Sequence, residues 1–392
     1  MESQCLWKMA QGKRRVLLIT SDHTRLLPSC ITMPLLLREI RRGSPECEIK
    51  ILVATGMHRA MTPEEQMQRF GVDICQHEQI VMHDAAKEEE MADFGPLPSG
   101  GRLRLNRLAV WAELIVAKGF IEPHFFAGYS GGQKSILPGI ASRETILHNH
   151  NAQFIASRQA RQGKLSGNPI HRDMAYAAQQ AKLAFILNVL MNEEKQIYAA
   201  VAGDPIRAHE AGCQLCRAHA GVQRHTADIV ITSNGGYPLD QNFYQCVKAL
   251  SAAEECVREG GCIILCAELS DGHGGDGFYH WFADRMSAAQ VMKDIQDVPM
   301  ERTLADQWQA QILARIICKA HCIVVTGVEN RSFIQEMHID WAENMQNAMM
   351  DAEKYVGKNA SVLLIPNGVS VIVDEQKAAD DRLEAPTTLT VI

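Results

Sequence analysis

Short, continuously apolar runs rich in β-branched residues recur along this chain, most of them separated by amphipathic stretches. That alternation narrows the possible folds more than any other feature. Arg15–Thr20 (RVLLIT) and Glu48–Ala54 (EIKILVA) read as buried strands, with a helix over Met33–Arg42 between them. Leu114–Ala117, Leu183–Leu190, Asp228–Thr232, Gly261–Cys266 and Cys322–Thr326 repeat the strand pattern, and Pro205–Ala220 and Asn242–Glu259 carry helical periodicity. A strand that is apolar without alternation is covered on both faces, as parallel strands in α/β domains are. The expected fold class is therefore α/β with mainly parallel sheets.

The 392 residues suffice for two or three domains. A boundary is expected near Gly221–Thr226, which gives an N-terminal domain over 1–220 and a C-terminal one over 221–392. Each half has a strand that runs into a polar turn: Thr20-Ser21-Asp22-His23-Thr24-Arg25 in the first, Ser233-Asn234-Gly235-Gly236-Tyr237-Pro238 in the second. Open α/β sheets bind ligands beyond the carboxyl ends of their strands, so two such domains face a ligand in the cleft between them.

A net charge of −7 argues against a generic nucleic-acid surface. No apolar run is long enough to suggest a membrane span, and the N-terminus lacks the apolar core of a signal peptide. Twelve scattered cysteines, several inside apolar runs, read as reduced thiols of a cytoplasmic protein. Cys213 and Cys216 lie on an amphipathic helix and read as packed thiols rather than half of a zinc site.

The densest chemistry lies in Pro123–His150, PHFFAGYSGGQKSILPGIASRETILHNH. It joins a glycine-rich turn (Gly128, Gly131, Gly132) to Lys134, with His124 before and His148 and His150 after. Backbone amides of such a turn can cradle phosphate, lysine can neutralise charge or attack an electrophile, and imidazole can move protons or hold a metal. Three sharp readings stand side by side. Gly128–Gly132 matches the G-x-S-x-G nucleophile elbow, with Ser130 as the serine of a hydrolase, although Pro123-His124 interrupts the strand it needs. The Gly128–Ser135 stretch misses a Walker A loop by one glycine. The third is a cofactor loop, with Ser130 near a phosphate and Lys134 on the cofactor. Asp22 and Arg25 after the first strand can bind sugar hydroxyls and an anion, and His58 follows the second strand, where α/β enzymes keep their chemistry. Gln245 and Lys248 lie three apart on one helical face, suited to a carboxylate but equally at home on an exposed polar face.

Taken in order, S-D-H-T-R (Ser21–Arg25), T-G-x-H-R (Thr55–Arg59), P-H-x-x-A-G-Y-S-G-G-x-K (Pro123–Lys134), Asn149-His150, G-Y-P-L-D-Q-N-x-Y-Q-x-x-K (Gly236–Lys248) and Asp306-Gln307-Trp308 resemble the nickel-pincer-nucleotide lactate racemase family. The resemblance implies two Rossmann-like domains with the cofactor in the cleft between them. The implied cofactor is Ni(II)-pyridinium-3,5-bisthiocarboxylic acid mononucleotide, so nickel is the metal. On the matching positions, Asp22, His23, Thr24 and Arg25 line the nucleotide, Ser130 lies by the cofactor, Lys134 is the lysine that can be joined to it, and His150 is the protein ligand to nickel. His58 and His124 match the catalytic pair. Arg25, Gln245, Lys248 and Trp308 match the substrate site. Only 21 residues precede Asp22, fewer than the resemblance implies, and some N-terminal strands are expected to be absent or replaced.

The implied activity is racemisation or epimerisation of a lactate-like 2-hydroxy acid by reversible hydride transfer, one histidine serving each enantiomer. Such a substrate is a small molecule; no nucleic-acid or membrane partner is expected, and self-association is left open. Two rivals remain: a cofactor-binding relative without turnover, and the Ser130 hydrolase.

Overall fold

A computed structural model describes residues 4–24 and 27–374. Two open sheets organise them. The first contains β1 (Arg15–Ser21), β2 (Glu48–Ala54), β3 (Gln79–Met82), β4 (Leu114–Phe120), β5 (Leu183–Met191) and β6 (Ile197–Gly203), in the order β6-β5-β4-β1-β2-β3. Only β6 runs antiparallel to its neighbour. The second contains β7 (Ala227–Ser233), β8 (Val257–Cys266), β9 (His321–Val325), β10 (Asp340–Ala342) and β11 (Val362–Ile365), in the order β10-β9-β8-β7-β11, all parallel. The helix Pro205–Ala220 lies between the two sheets in sequence.

The apolar runs form strands because both sheet faces are covered. In β1, Val16 and Leu18 pack with Met33, Leu36 and Ile40 of the helix Ser29–Gly43. Leu17 and Ile19 face the other way, into the cluster that holds Ile136, Leu137 and Ile140. At about 25 cal/mol per Å² of apolar surface, that two-sided burial dominates the stability of the sheet.

Several elements extend or stop differently from the sequence reading. β4 continues past Ala117 through Lys118, Gly119 and Phe120, and every residue in it is buried, the lysine included. The helix expected to reach Glu259 ends at Cys256. Val257 pairs with Ala227, which draws the backbone into the second sheet, and Gly260 follows at φ +68°, a conformation a helix cannot carry. Cys213 and Cys216 are buried on their helix, and burial pushes the Cys216 thiol up to about 12. Among the described residues, no helix is long and apolar enough to cross a membrane.

Both sheets have a point where successive connections leave in opposite directions: between β1 and β4 in the first, between β7 and β11 in the second. Crevices open there beyond the strand ends. His124 follows β4, Val369 follows β11, and Lys248 lies on the helix Phe243–Cys256 after β7. These three residues line one cleft, with Glu122 and Gln162.

Candidate active site

The carboxyl end of β1 runs straight into Asp22, which is 2% exposed. Its Oδ1 accepts from the Thr24 amide (3.1 Å) and hydroxyl (2.6 Å), and its Oδ2 accepts from Nδ1 of His58 at 2.7 Å. A carboxylate only accepts, so the His58 proton sits on Nδ1 and Nε2 is left bare. The His58 side chain is 49% exposed, a base at the surface of the crevice anchored by a buried acid. Asp22, expected to line a nucleotide, holds His58 in this structure. His23 is half-buried, with Nδ1 enclosed and without a hydrogen-bond partner. Arg25 lies outside the described residues.

His58 follows β2 and His124 follows β4, the two neighbours of β1 on either side. Strands in a sheet stand about 4.8 Å apart, so the strand ends that lead to the two histidines are on the order of 10 Å apart. The Ala127 amide donates to Nδ1 of His124 at 3.3 Å, which puts the neutral ring's proton on Nε2. The two histidines are therefore held as opposite tautomers.

Phe126, which sequence reasoning passed over, is the hub of the remaining residues. His124 meets its ring edge-on at 4.5 Å, His150 does so at 5.1 Å, and the Lys134 ammonium lies 5.8 Å from its centroid. The signal was available in the sequence, since an aromatic pair, Phe125-Phe126, sits inside the glycine-rich motif.

His150 is pinned by the elements around it. Ser142 caps the helix Arg143–Asn149, and the His150 amide closes that helix on Ile146 (3.0 Å) and Leu147 (3.1 Å). Asn151 then caps the next helix, Ala152–Ala156. The imidazole is 5% exposed, lies edge-on to Trp308 at 5.1 Å, and has an Nδ1 with no hydrogen-bond partner. Burial, reinforced by the Lys134 charge, drives its pKa down to about 3. A neutral, buried imidazole with an unsatisfied nitrogen is what a borderline-soft divalent metal takes as a ligand. Among the described residues, no three His, Cys, Asp or Glu side chains gather to hold a metal by themselves. A metal at His150 must therefore arrive with most of its donors, as the pincer group would. The site fits that group.

Three amides of the glycine-rich turn, where a phosphate cradle is one expectation, are already engaged within the chain. The Gly132 amide donates to Asn188 Oδ1 (2.8 Å), the Ser130 amide to Glu122 O (2.9 Å) and the Lys134 amide to Gly131 O (3.1 Å). The glycines are steric instead. A Cβ on Gly131 would stand 2.8 Å from Phe120 O, one on Gly132 2.6 Å from the His209 ring, and both residues have positive φ. The turn is pressed against its neighbours so that Lys134 projects next to His150.

Ser130 is 6% exposed, and its hydroxyl is committed to the backbone. It donates to Phe120 O and accepts from the Glu122 amide, both at 2.9 Å. The hydroxyl proton lies on a carbonyl rather than on a ring nitrogen, so the elbow reading lacks its base. Ser130→Ala is expected to keep enzymatic turnover while costing about 1 kcal/mol of stability. Urea unfolding and initial rates on one preparation check this, and loss of turnover in a folded variant would restore the serine.

In the second half, Asn242 caps the helix Phe243–Cys256 by accepting from the Gln245 amide (3.1 Å), and Lys248 Nζ donates to Gln245 Oε1 (2.7 Å). That pair presents an ammonium to the cleft opposite His124. Trp308 stands at the start of the helix Gln307–Lys319, where Asp306 at φ +63° and hydrogen-bonded to Tyr244 Oη (3.0 Å) turns the chain. The structure thus brings His124, Lys134, His150, Lys248 and Trp308 into one crevice region, with the Asp22–His58 pair at the adjoining strand ends.

Comparisons with known proteins show the family. Residues 1–163 match the family model described as the lactate racemase N-terminal domain, and 222–373 match the lactate racemase C-terminal domain. The protein called lactate racemase in Thermoanaerobacterium thermosaccharolyticum is 51% identical over 371 residues, covering 95% of this chain and 87% of its own. The one so called in Lactiplantibacillus plantarum is 47% identical over 371 residues, covering 95% and 88%. The solved structure of the Thermoanaerobacterium lactate racemase apoprotein superposes with a TM-score of 0.95 at 50% identity, over 96% of this chain and 90% of that one. A Thermotoga maritima crystal structure shares the fold alone, with a TM-score of 0.67 at 19% identity.

Proposed function

Because the chain belongs to the lactate racemase family, and so is a racemase-type isomerase, we propose that it interconverts the enantiomers of lactate or a close 2-hydroxy acid. We further propose that it does so with a nickel-pincer nucleotide held by His150 and Lys134. The observation that carries this reading is the placement of His58 and His124 at the ends of the strands flanking β1, with Lys248 across the cleft from His124.

When bound, the nucleotide supplies a reversible acceptor for hydride, which matters because the α-hydrogen of a hydroxy carboxylate is too weakly acidic for imidazole to remove. The chain's own residues do the rest. His58, with Nδ1 donated to Asp22, takes the hydroxyl proton of one enantiomer at Nε2, and the buried carboxylate stabilises the imidazolium that forms. His124 serves the other enantiomer from the opposite side: release of the Ala127 amide lets Nδ1 take a proton from solvent, and the imidazolium gives its Nε2 proton to the substrate oxygen or, in the reverse direction, re-forms by taking the hydroxyl proton at Nε2. Lys248, steadied by Gln245, grips the carboxylate while the carbonyl turns over. Trp308 and Phe126 close the apolar side and keep water from the reacting carbon.

The test is chiral analysis of product from D- and from L-lactate, using protein whose nickel content has been measured. Interconversion in both directions supports the proposal, and its absence at full nickel occupancy sinks it. Lys248→Met is expected to raise KM at least tenfold with a smaller change in kcat, because a carboxylate grip acts in the ground state and the transition state alike. An unchanged KM would remove Lys248 from the substrate site.

A further inference from the structure

Asp306 stands at the N-cap of the helix Gln307–Lys319, and the helix itself gives no reason for an aspartate there. An N-cap residue ordinarily has extended backbone and accepts from an amide of the first turn. Asp306 does neither. Its backbone is left-handed, at φ +63° and ψ −2°, and among the described residues its side chain caps no amide of that helix. Glycine adopts such a backbone without strain, whereas a residue with a Cβ does not. The carboxylate is used elsewhere. Oδ1 accepts from Tyr244 Oη at 3.0 Å, across 62 positions and from a different helix, Phe243–Cys256. Strained residues persist where their surroundings over-determine them, and they cluster at functional sites.

Tyr244 carries that hold into the site. The Trp308 indole stands next to the same hydroxyl. A carboxylate only accepts, so the hydroxyl proton goes to Asp306, and the oxygen turns its lone pairs to the indole N–H, which only donates. The rest of Tyr244 is fixed as well. Its carbonyl accepts from the Gln309 side chain, its amide donates to His273 O (3.1 Å), and Phe278 meets its ring edge-on at 5.3 Å. Trp308 in turn lies edge-on to His150 at 5.1 Å. A line of contacts thus runs from Asp306 through Tyr244 and Trp308 to His150. At their far ends the two helices are joined independently, by Arg315 on both oxygens of Glu254 (2.8 and 2.6 Å).

We propose that Asp306 is a positioning residue of the substrate site. Acting through the Tyr244 hydroxyl, it fixes the Trp308 ring against His150, and with it the apolar wall that limits the side chain a 2-hydroxy acid can carry. The hold on Trp308 stands on the geometry of the two helix starts; its bearing on the substrate rests on the functional reading above.

Three variants separate the bond from the turn. Asp306→Gly keeps the left-handed backbone and loses the bond, Asp306→Asn keeps both, and Tyr244→Phe removes the bond from the other side. Acrylamide quenching of the cofactor-free chain reads Trp308, with Trp308→Phe as the reference for the other tryptophans. Quenching is expected to rise in Asp306→Gly and Tyr244→Phe, to stay near the parent's in Asp306→Asn, and to be indifferent to Asp306→Gly in the Trp308→Phe background. In nickel-loaded protein, kcat/KM for lactate should fall about tenfold in the first two and stay within about threefold in Asp306→Asn, because a misplaced wall acts on the transition state. The turnover of 2-hydroxybutyrate relative to lactate should rise as the wall gives. Adding Tyr244→Phe to Asp306→Gly should cost nothing further, since both remove one bond. Parental quenching and kinetics in Asp306→Gly overturn the proposal, and so does an Asp306→Asn chain no better than Asp306→Gly. If Asp306→Gly misfolds, Tyr244→Phe decides by the same readouts. Raised quenching with unchanged lactate kinetics upholds the hold on Trp308 and overturns its bearing on the substrate. A parent chain that fails to racemise at full nickel occupancy counts against the functional reading alone, and the quenching still decides the hold.

Discussion

His124→Ala and His58→Ala are each expected to lower interconversion of D- and L-hydroxy acid by about 10²–10⁴-fold, the usual contribution of a positioned general acid or base. Neither change should unfold the chain. His58 is half exposed, and His124 lies at the rim of the cleft on Phe125 and Phe126. The two variants should fail differently. If each imidazole serves one enantiomer, each variant still consumes the enantiomer of the surviving base in a single turnover and stalls before the return step. Rapid quench from pure D and pure L substrate reads this out. Symmetric residual turnover in both variants would show that the histidines do not divide the enantiomers. Asp22→Asn should approach the loss seen in His58→Ala, because an amide can donate to Nδ1 and turn the imidazole to the wrong tautomer.

Much of this was legible in the sequence because parallel strands covered on both faces leave a plain signature. β2 and the helix Pro205–Ala220 have the bounds expected of them, and the strand ends carry the chemistry, as the topology of open α/β sheets requires. What was not legible has physical causes. β3, β10 and β11 are short edge strands with a face partly in solvent, so their apolar pattern is broken. β4 runs longer than its apolar signature because a lysine in a buried strand runs against average preferences, and among the described residues the hydroxyls of Ser29 and Thr32, far away in sequence, receive its hydrogen bonds. At the site, the motif residues were identifiable, but not the division of labour among them. The glycine-rich turn reads as a phosphate cradle, and three of its amides are engaged by Asn188, Glu122 and Gly131. The bond to Asn188 spans 56 positions and leaves no trace in local spacing.

His150→Leu separates metal capture from folding. The imidazole sits among Phe126, Trp308 and the ends of two capped helices, with one ring nitrogen unsatisfied. An apolar side chain there removes an unpaired buried polar atom, so the cofactor-free variant should be at least as stable as the parent at neutral pH. The acid side carries the sign. The folded pKa of about 3 lies below the ordinary value of 6.5, so on acidification the unfolded chain binds the proton first. The stability tied to this group is complete above about pH 6.5 and drains away as pH falls towards about 3. The variant should therefore lose less stability than the parent across that window. Part of the loss will remain, because His171, whose pKa burial lowers to about 4, contributes with the same sign. Racemisation should vanish and nickel should fail to bind, both read on the same preparation by chiral analysis and metal mass spectrometry. A folded His150→Leu chain that still holds stoichiometric nickel would mean that the metal is gripped elsewhere, and the orphaned nitrogen would then need another explanation.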